Sequence, residues 1–193
     1  MISHRHFIIY KPFGFLSQFI NNQTKRKKKL LGELYDFPKG TMAIGRLDVK
    51  SEGLLLLTTD GKVSDYITTR GKVEKEYYVQ LDGAITTREI EQLKNGIEIG
   101  IHGEKYMTKP CKVRAIDIPD FPKRSMKIRD DRHGPTSWIS ITLQEGKFRQ
   151  VRKMTSAVGF PTLRLVRIRI GNVLLNDLQP GDVIEIEDLM TII

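Results

Sequence analysis

Asp48 lies in the segment Gly45-Arg46-Leu47-Asp48-Val49-Lys50-Ser51-Glu52-Gly53, a polar stretch between two apolar ones. A carboxylate placed there can face a cleft while apolar neighbours anchor its backbone. Glu52 lies four residues on, and two acids this close raise glycoside hydrolysis as one reading. Their confinement to a single loop and the basic character of the chain count against it. The residues alone also fit a turn-capping aspartate, an ordinary surface arginine at Arg46 and a solvated acid at Glu52. His4, His6, His102 and His133 are scattered without ligand spacing and read as surface histidines. Neither a Walker loop nor a GxGxxG opens a helix, so no nucleotide cofactor is indicated.

The elements that must carry these residues follow from periodicity. Phe7 to Tyr10 is a short β-prone run broken by Lys11-Pro12-Phe13-Gly14. Residues 42–61 predict a strand, a polar loop, a buried strand and a tight turn at Asp60-Gly61, with Leu54 to Leu57 covered on both faces. In Lys75 to Leu81, Tyr77, Val79 and Leu81 share one strand face and Tyr78 takes the other. Thr86 to Gly96 predicts a helix: Thr86 and Glu89 have capping-box spacing, and Asn95-Gly96 supplies the stop. Strands are expected in 105–118, a long loop over 119–135, and a strand from Trp138 to Leu143. Lys147 to Val158 predicts a helix with Phe148, Val151, Thr155 and Val158 inward. Strands at Leu163 to Ile170 and Val183 to Ile186 complete the chain. Strands neighbour strands, which gives an α+β fold with a mixed, largely antiparallel sheet.

Composition narrows the partners. The 193 residues suit one domain, or two lobes sharing a core, and no repeat of solenoid period is visible. Lys and Arg number 32 against 23 acidic residues, a net charge of +9, with a pI near 9.6. That excess points to a polyanion, most simply nucleic acid, with an anionic membrane as the other option. The basic runs are Thr24 to Lys29, Lys123 to Arg132, Lys147 to Lys153, and Arg164, Arg167 and Arg169. Cys111 stands alone, which excludes an internal disulfide framework and a thiolate zinc cluster. The start lacks the apolar stretch of a signal peptide, and no segment reaches membrane-spanning length, so a cytoplasmic protein is expected.

GRLDVKSEGLLLLTTDG resembles the signature of the pseudouridine synthases, in the RsuA-like branch that modifies ribosomal RNA. Two further blocks follow in the family's order. Lys75-x-Tyr77-x-Val79 is similar to its second motif, and Glu145 to Met154, EGKFRQVRKM, to its third. Pro135-Thr136-Ser137-Trp138 and Gly159-Phe160-Pro161-Thr162-Leu163-Arg164-Leu165 resemble the E-type branch, which acts on large-subunit RNA. Lys147 and Phe148 depart from the pattern, which has arginine and asparagine there. Relatives usually carry an S4 RNA-binding domain before their KP-x-G segment. Only ten residues precede Lys11 here, so a single catalytic domain over 1–193 without S4 is expected.

The resemblance implies isomerisation of a specific uridine in 23S ribosomal RNA: the base leaves the ribose at N1, turns, and rejoins through C5. No redox change or hydrolysis occurs, so no cofactor and no metal are expected. It implies a central sheet flanked by helices and a cleft between two lobes. Asp48 takes the place of the essential aspartate, acting as nucleophile or base. Arg152 takes that of a permanently charged partner offsetting desolvation of the acid. Tyr77 stacks beneath the uracil or accepts the C5 proton, while Tyr78 should be structural. Arg46 is placed to fill the stack vacated by an extruded nucleotide. Lys147, Arg149, Lys153 and Arg164 are expected to contact RNA. A monomer is expected. The competing reading is a non-catalytic RNA-binding or ribosome-assembly protein on the same scaffold.

Overall fold

The computed structural model describes residues 4–20, 28–70, 72–129 and 131–193. Of the basic run at Thr24 to Lys29, residues 24–27 lie outside these. The chain forms two compact units. The first holds the chain up to Val73, Pro122–Ser125 and Arg167–Ile193; the second holds Glu74–Phe121 and Met126–Val166.

In the first unit, β1 (His6–Lys11), β2 (Met42–Ile44), β3 (Glu52–Thr58) and β11 (Val183–Ile186) are strands. Strand β3 is the spine, buried along its whole length. Antiparallel β1 aligns His6 with Thr58 and Lys11 with Gly53, and β2 aligns Met42 with Thr58. Strand β11 pairs antiparallel with the outer side of β1. Leu55 and Leu57 share one face of β3 and meet Phe7, Ile9 and Leu31, with Phe19 and Phe37 packed around them. Phe37 is the hub, edge-on to Phe7 at 5.2 Å and to Phe19 at 5.4 Å between ring centroids. Leu54 and Leu56, on the opposite face, are buried too. Asp60-Gly61 differs from the expected turn. Asp60 caps a short helix, α1 (Gly61–Asp65), its carboxylate accepting from the Lys62 N–H at 2.8 Å.

The second unit contains β4 (Lys75–Asp82), α2 (Thr87–Asn95), β5 (Glu98–Ile101), β6 (Glu104–Met107), β7 (Lys112–Ile116), β8 (Thr136–Leu143) and α3 (Gln150–Ala157). Strand β9 (Thr162–Ile170) begins here and ends in the first unit; the short β10 (Val173–Leu174) pairs with it. Within this unit hydrogen bonding orders the strands β9-β4-β8-β7, and within the first unit it orders them β3-β1-β11. Strands β5 and β6 form a separate antiparallel hairpin. The architecture is α+β. No helix among the described residues is long and apolar enough to cross a membrane.

Helix α2 forms as its punctuation requires. Glu89 accepts from the Thr86 N–H at 3.1 Å, and Ile90 and Leu93 turn into a core with Val79, Leu81, Val113 and Ile139. Gly96 ends it at φ +90°, and a Cβ there would lie 2.3 Å from the Thr108 carbonyl oxygen. Gly96→Ala is therefore expected to cost about 1–3 kcal/mol, read as a lower urea midpoint at unchanged slope.

Candidate active site

Asp48 projects from the seven-residue link between β2 and β3, and the preceding chain clamps this link. Ser17 Oγ donates to the Leu47 carbonyl at 2.9 Å and accepts from the Leu47 N–H at 3.0 Å. The Gly14 N–H donates to the Val49 carbonyl at 2.8 Å, and the Ser51 N–H to the Asp48 carbonyl at 2.9 Å. Backbone is thus fixed on both sides of Asp48. Leu47 points inward, Arg46 is exposed, and Asp48 is half-buried. A carboxylate held this way is oriented yet reachable, as an acid acting on a ligand must be.

The same unit buries a group of charges, two of which, Glu52 and Arg167, sequence reading left at the surface. Glu52 opens β3 and is 1% exposed, so it is no solvated loop acid. Arg167 is 2% exposed and donates from Nε to the Leu54 carbonyl at 2.7 Å, which removes it from any surface track. Lys11, at the end of β1, is fully buried; its Nζ donates to the carbonyls of Pro12 and Phe15, both at 2.9 Å. Burial pushes the Lys11 ammonium down to about 7. Glu52 resists that shift, Arg167 adds to it, and Asp48 resists it more weakly, so all three lie within electrostatic reach of Lys11.

A stability consequence follows. Between about pH 7 and the lysine's ordinary value of 10.5, the unfolded chain holds a proton here that the folded chain has released. Stability from this group therefore rises with pH across that window and is flat below it. Urea titrations at several pH values should show Lys11→Met lacking that rise relative to the wild type; parallel pH profiles would contradict it.

In the second unit, Tyr77 stands opposite Ile141 in the β4–β8 ladder and packs half-buried against the core, on the face of Val79 and Leu81. Tyr78 takes the other face, its ring 6.0 Å from Phe121, which in turn lies 6.0 Å from Trp138. Arg164 is buried on that aromatic group, its guanidinium 5.4 Å from the Phe121 centroid, rather than lying on an open track.

The third block is organised by Glu145. Its carboxylate accepts from Tyr106 Oη at 2.6 Å, from the Lys109 N–H at 3.0 Å and from Gln150 Nε2 at 2.5 Å. Burial works to raise this acid, but those bonds outweigh it and hold it below the usual carboxylate range. The same bond, with burial, raises the Tyr106 phenol. Gln150 Oε1 also accepts from the Lys147 N–H at 3.0 Å. Gln150 therefore ties the turn to the helix it begins. Helix α3 starts there and not at Lys147; Arg149 precedes it at φ +52°. Phe148 is consequently not inward but 55% exposed.

Arg152, half-buried on α3, donates from Nη1 to the Thr162 carbonyl at 3.4 Å. With Arg149 and Lys153 it lines a cavity of about 440 Å³ against Glu98 and Gly100 of β5. Asp48 and Arg46 thus belong to the first unit, and Tyr77, Arg152, Lys147, Arg149, Lys153 and Arg164 to the second. His6 corrects the surface reading of the histidines: it is buried, its Nδ1 2.9 Å from Thr58 Oγ1. Sequence reading gave no role to Lys11 or Glu145. A charged residue closing an apolar run, FIIYK, was the available signal for Lys11.

A protein named ribosomal large subunit pseudouridine synthase E, from Vibrio parahaemolyticus, is 43% identical over 188 residues, covering 96% of this chain and 76% of the relative. One of the same name from Xanthomonas axonopodis pv. citri is 40% identical over 175 residues, covering 90% and 89%. A crystal structure of a pseudouridylate synthase superposes with a TM-score of 0.74 at 28% identity, covering 96% of this chain and 71% of that one. The RNA pseudouridylate synthase model matches residues 5–157, and the chain belongs to that family.

Proposed function

We propose that this RNA pseudouridine synthase acts on the large-subunit ribosomal RNA, at the E-type site, uridine 2457 of 23S RNA. The observation carrying this reading is the match, over nearly the whole chain, to relatives named for that reaction. The clamped loop bearing Asp48 supports it from the chemistry.

The reaction breaks the N1–C1′ bond and forms C5–C1′; C5 loses a proton and N1 gains one, so nothing is oxidised and no water is consumed. Asp48 supplies the carboxylate on which cleavage and rejoining depend. By the resemblance, Arg152 takes the place of the permanently charged residue, and Tyr77 that of the aromatic which stacks on the uracil and receives the C5 proton. Extruding the nucleotide costs a few kcal/mol, which Arg46 offsets by occupying the vacated stack. Lys147, Arg149 and Lys153 hold the RNA backbone. Arg164 acts at one remove, by supporting Phe121.

Mapping pseudouridines in ribosomal RNA from cells with and without the gene tests the proposal. One large-subunit position should lose its modification on deletion and regain it on complementation. An unchanged map would refute the assignment. The two neighbouring tyrosines give an internal comparison: Tyr77→Phe should slow turnover about 10²-fold or more, the scale of a lost acid–base group. Tyr78→Phe should stay within about twofold in the same single-turnover assay.

A further inference from the structure

Phe148 is a large apolar side chain left exposed, and several contacts present it. Its ring is stacked on His102 at the tip of the β5–β6 hairpin, with centroids 5.4 Å apart and planes inclined by 24°. Lys153 Nζ lies 5.1 Å from the Phe148 centroid and is held by the Gly100 carbonyl at 2.5 Å. Lys147 Nζ lies 4.8 Å from the Tyr106 centroid, on the hairpin's other strand. The ring remains 55% exposed although His102 covers one side. A ring braced in this way stays open over much of its surface, where a planar group can lie on it.

The surroundings specify the visitor. Beside the stack, the cavity of about 440 Å³ is lined by Arg149, Arg152 and Lys153 with one acid, Glu98. That acid pairs with Lys105 Nζ at 3.0 Å, so the net field there is positive. A flat apolar ring bordered by cations matches a base joined to its phosphates, and it suits a single strand because the base must be unstacked to reach the ring.

We infer that Phe148, backed by His102, is a stacking platform for an unpaired nucleotide of the RNA substrate, with Arg149 and Lys153 holding the adjoining phosphates. This rests on the RNA reading of the same surface and adds a base contact to it. Phe148 thereby becomes a positioning residue that holds the strand and does not touch the reacting uridine.

The probe is a single-stranded oligouridylate carrying one 2-aminopurine, whose fluorescence is quenched on stacking. Phe148→Ala should weaken binding roughly 5- to 150-fold, the scale of one lost base stack, and should abolish most of the quenching. Its salt slope should match the wild type because no charge is removed, whereas Lys153→Gln should lower the slope by about one. Phe148→Tyr should keep both affinity and quenching. If Phe148→Ala melts early, Phe148→Leu replaces it: lost affinity in the leucine variant with retention in the tyrosine variant supports the platform. Equal affinity and quenching in all variants would overturn it, and would mean that the ring serves only the hairpin or a protein partner. A wild type that binds and quenches yet forms no pseudouridine in its ribosomal RNA would instead sink the proposed function and leave the platform standing.

Discussion

Asp48→Asn should yield a folded protein that binds RNA with wild-type affinity and forms no product. The substitution keeps the shape and removes the charge. The Ser17, Gly14 and Ser51 bonds that clamp the loop are made to backbone carbonyls and N–H groups and leave the Asp48 carboxylate out. The loop should therefore keep its course. Loss of a group acting directly on the substrate lowers turnover on the order of 10⁴-fold or more. Phosphate contacts dominate affinity and are proposed for Lys147, Arg149 and Lys153, so the dissociation constant should move less than about threefold. Single-turnover kinetics with a parallel binding titration read both quantities. Turnover within about tenfold of the wild type would remove Asp48 from the chemistry, and a matching collapse of affinity would make it a binding residue.

Glu52→Gln should be the most destabilising of the single substitutions considered, by about 3–5 kcal/mol, the scale of breaking a buried charge group by deleting one partner. Glu52 is 1% exposed and lies among Lys11, Arg167 and Asp48. Its charge is the strongest of those opposing the shift that burial imposes on Lys11, so removing it strips this buried group of the charge that most favours its ammonium form. Lys11→Met combined with Glu52→Gln should cost less than the two single changes together, because the second change removes what the first left exposed to repulsion. Urea denaturation of the four proteins gives the coupling. Strict additivity would mean that the buried charges do not act as a group. A loss below about 1 kcal/mol for Glu52→Gln would return this residue to the solvated role that its sequence position suggested.

The strands were legible because their periods are simple. The run from Leu54 to Leu57 could only be covered on both faces, and the β4 alternation separated Tyr77 from Tyr78 as the structure does. Helix α2 was legible to its last residue, since Thr86, Glu89 and Gly96 are local signals whose partners lie within one turn. Helix α3 shows the limit. Phe148, Val151, Thr155 and Val158 have helical spacing, but no ordinary capping residue precedes them. The start of α3 is fixed by Gln150 and Glu145, whose bonds reach Tyr106 and Lys109 far back in the chain. Arg167 was misplaced for a related reason. Alternation gives the two faces of a strand but not which one is covered, and a guanidinium bonded to the Leu54 carbonyl satisfies itself inside. The catalytic candidates came from motif identity, whereas the charges around Lys11 and the Phe148–His102 stack required coordinates.

The most direct measurement uses the purified protein with a large-subunit RNA transcript made from uridine tritiated at C5, and nothing added beyond buffer and salt. Forming the C5–C1′ bond expels the C5 hydrogen, so tritium should enter the solvent to the extent of one uridine per transcript and then stop. Absence of release from an RNA that the protein demonstrably binds, or release continuing across many uridines, would contradict the account.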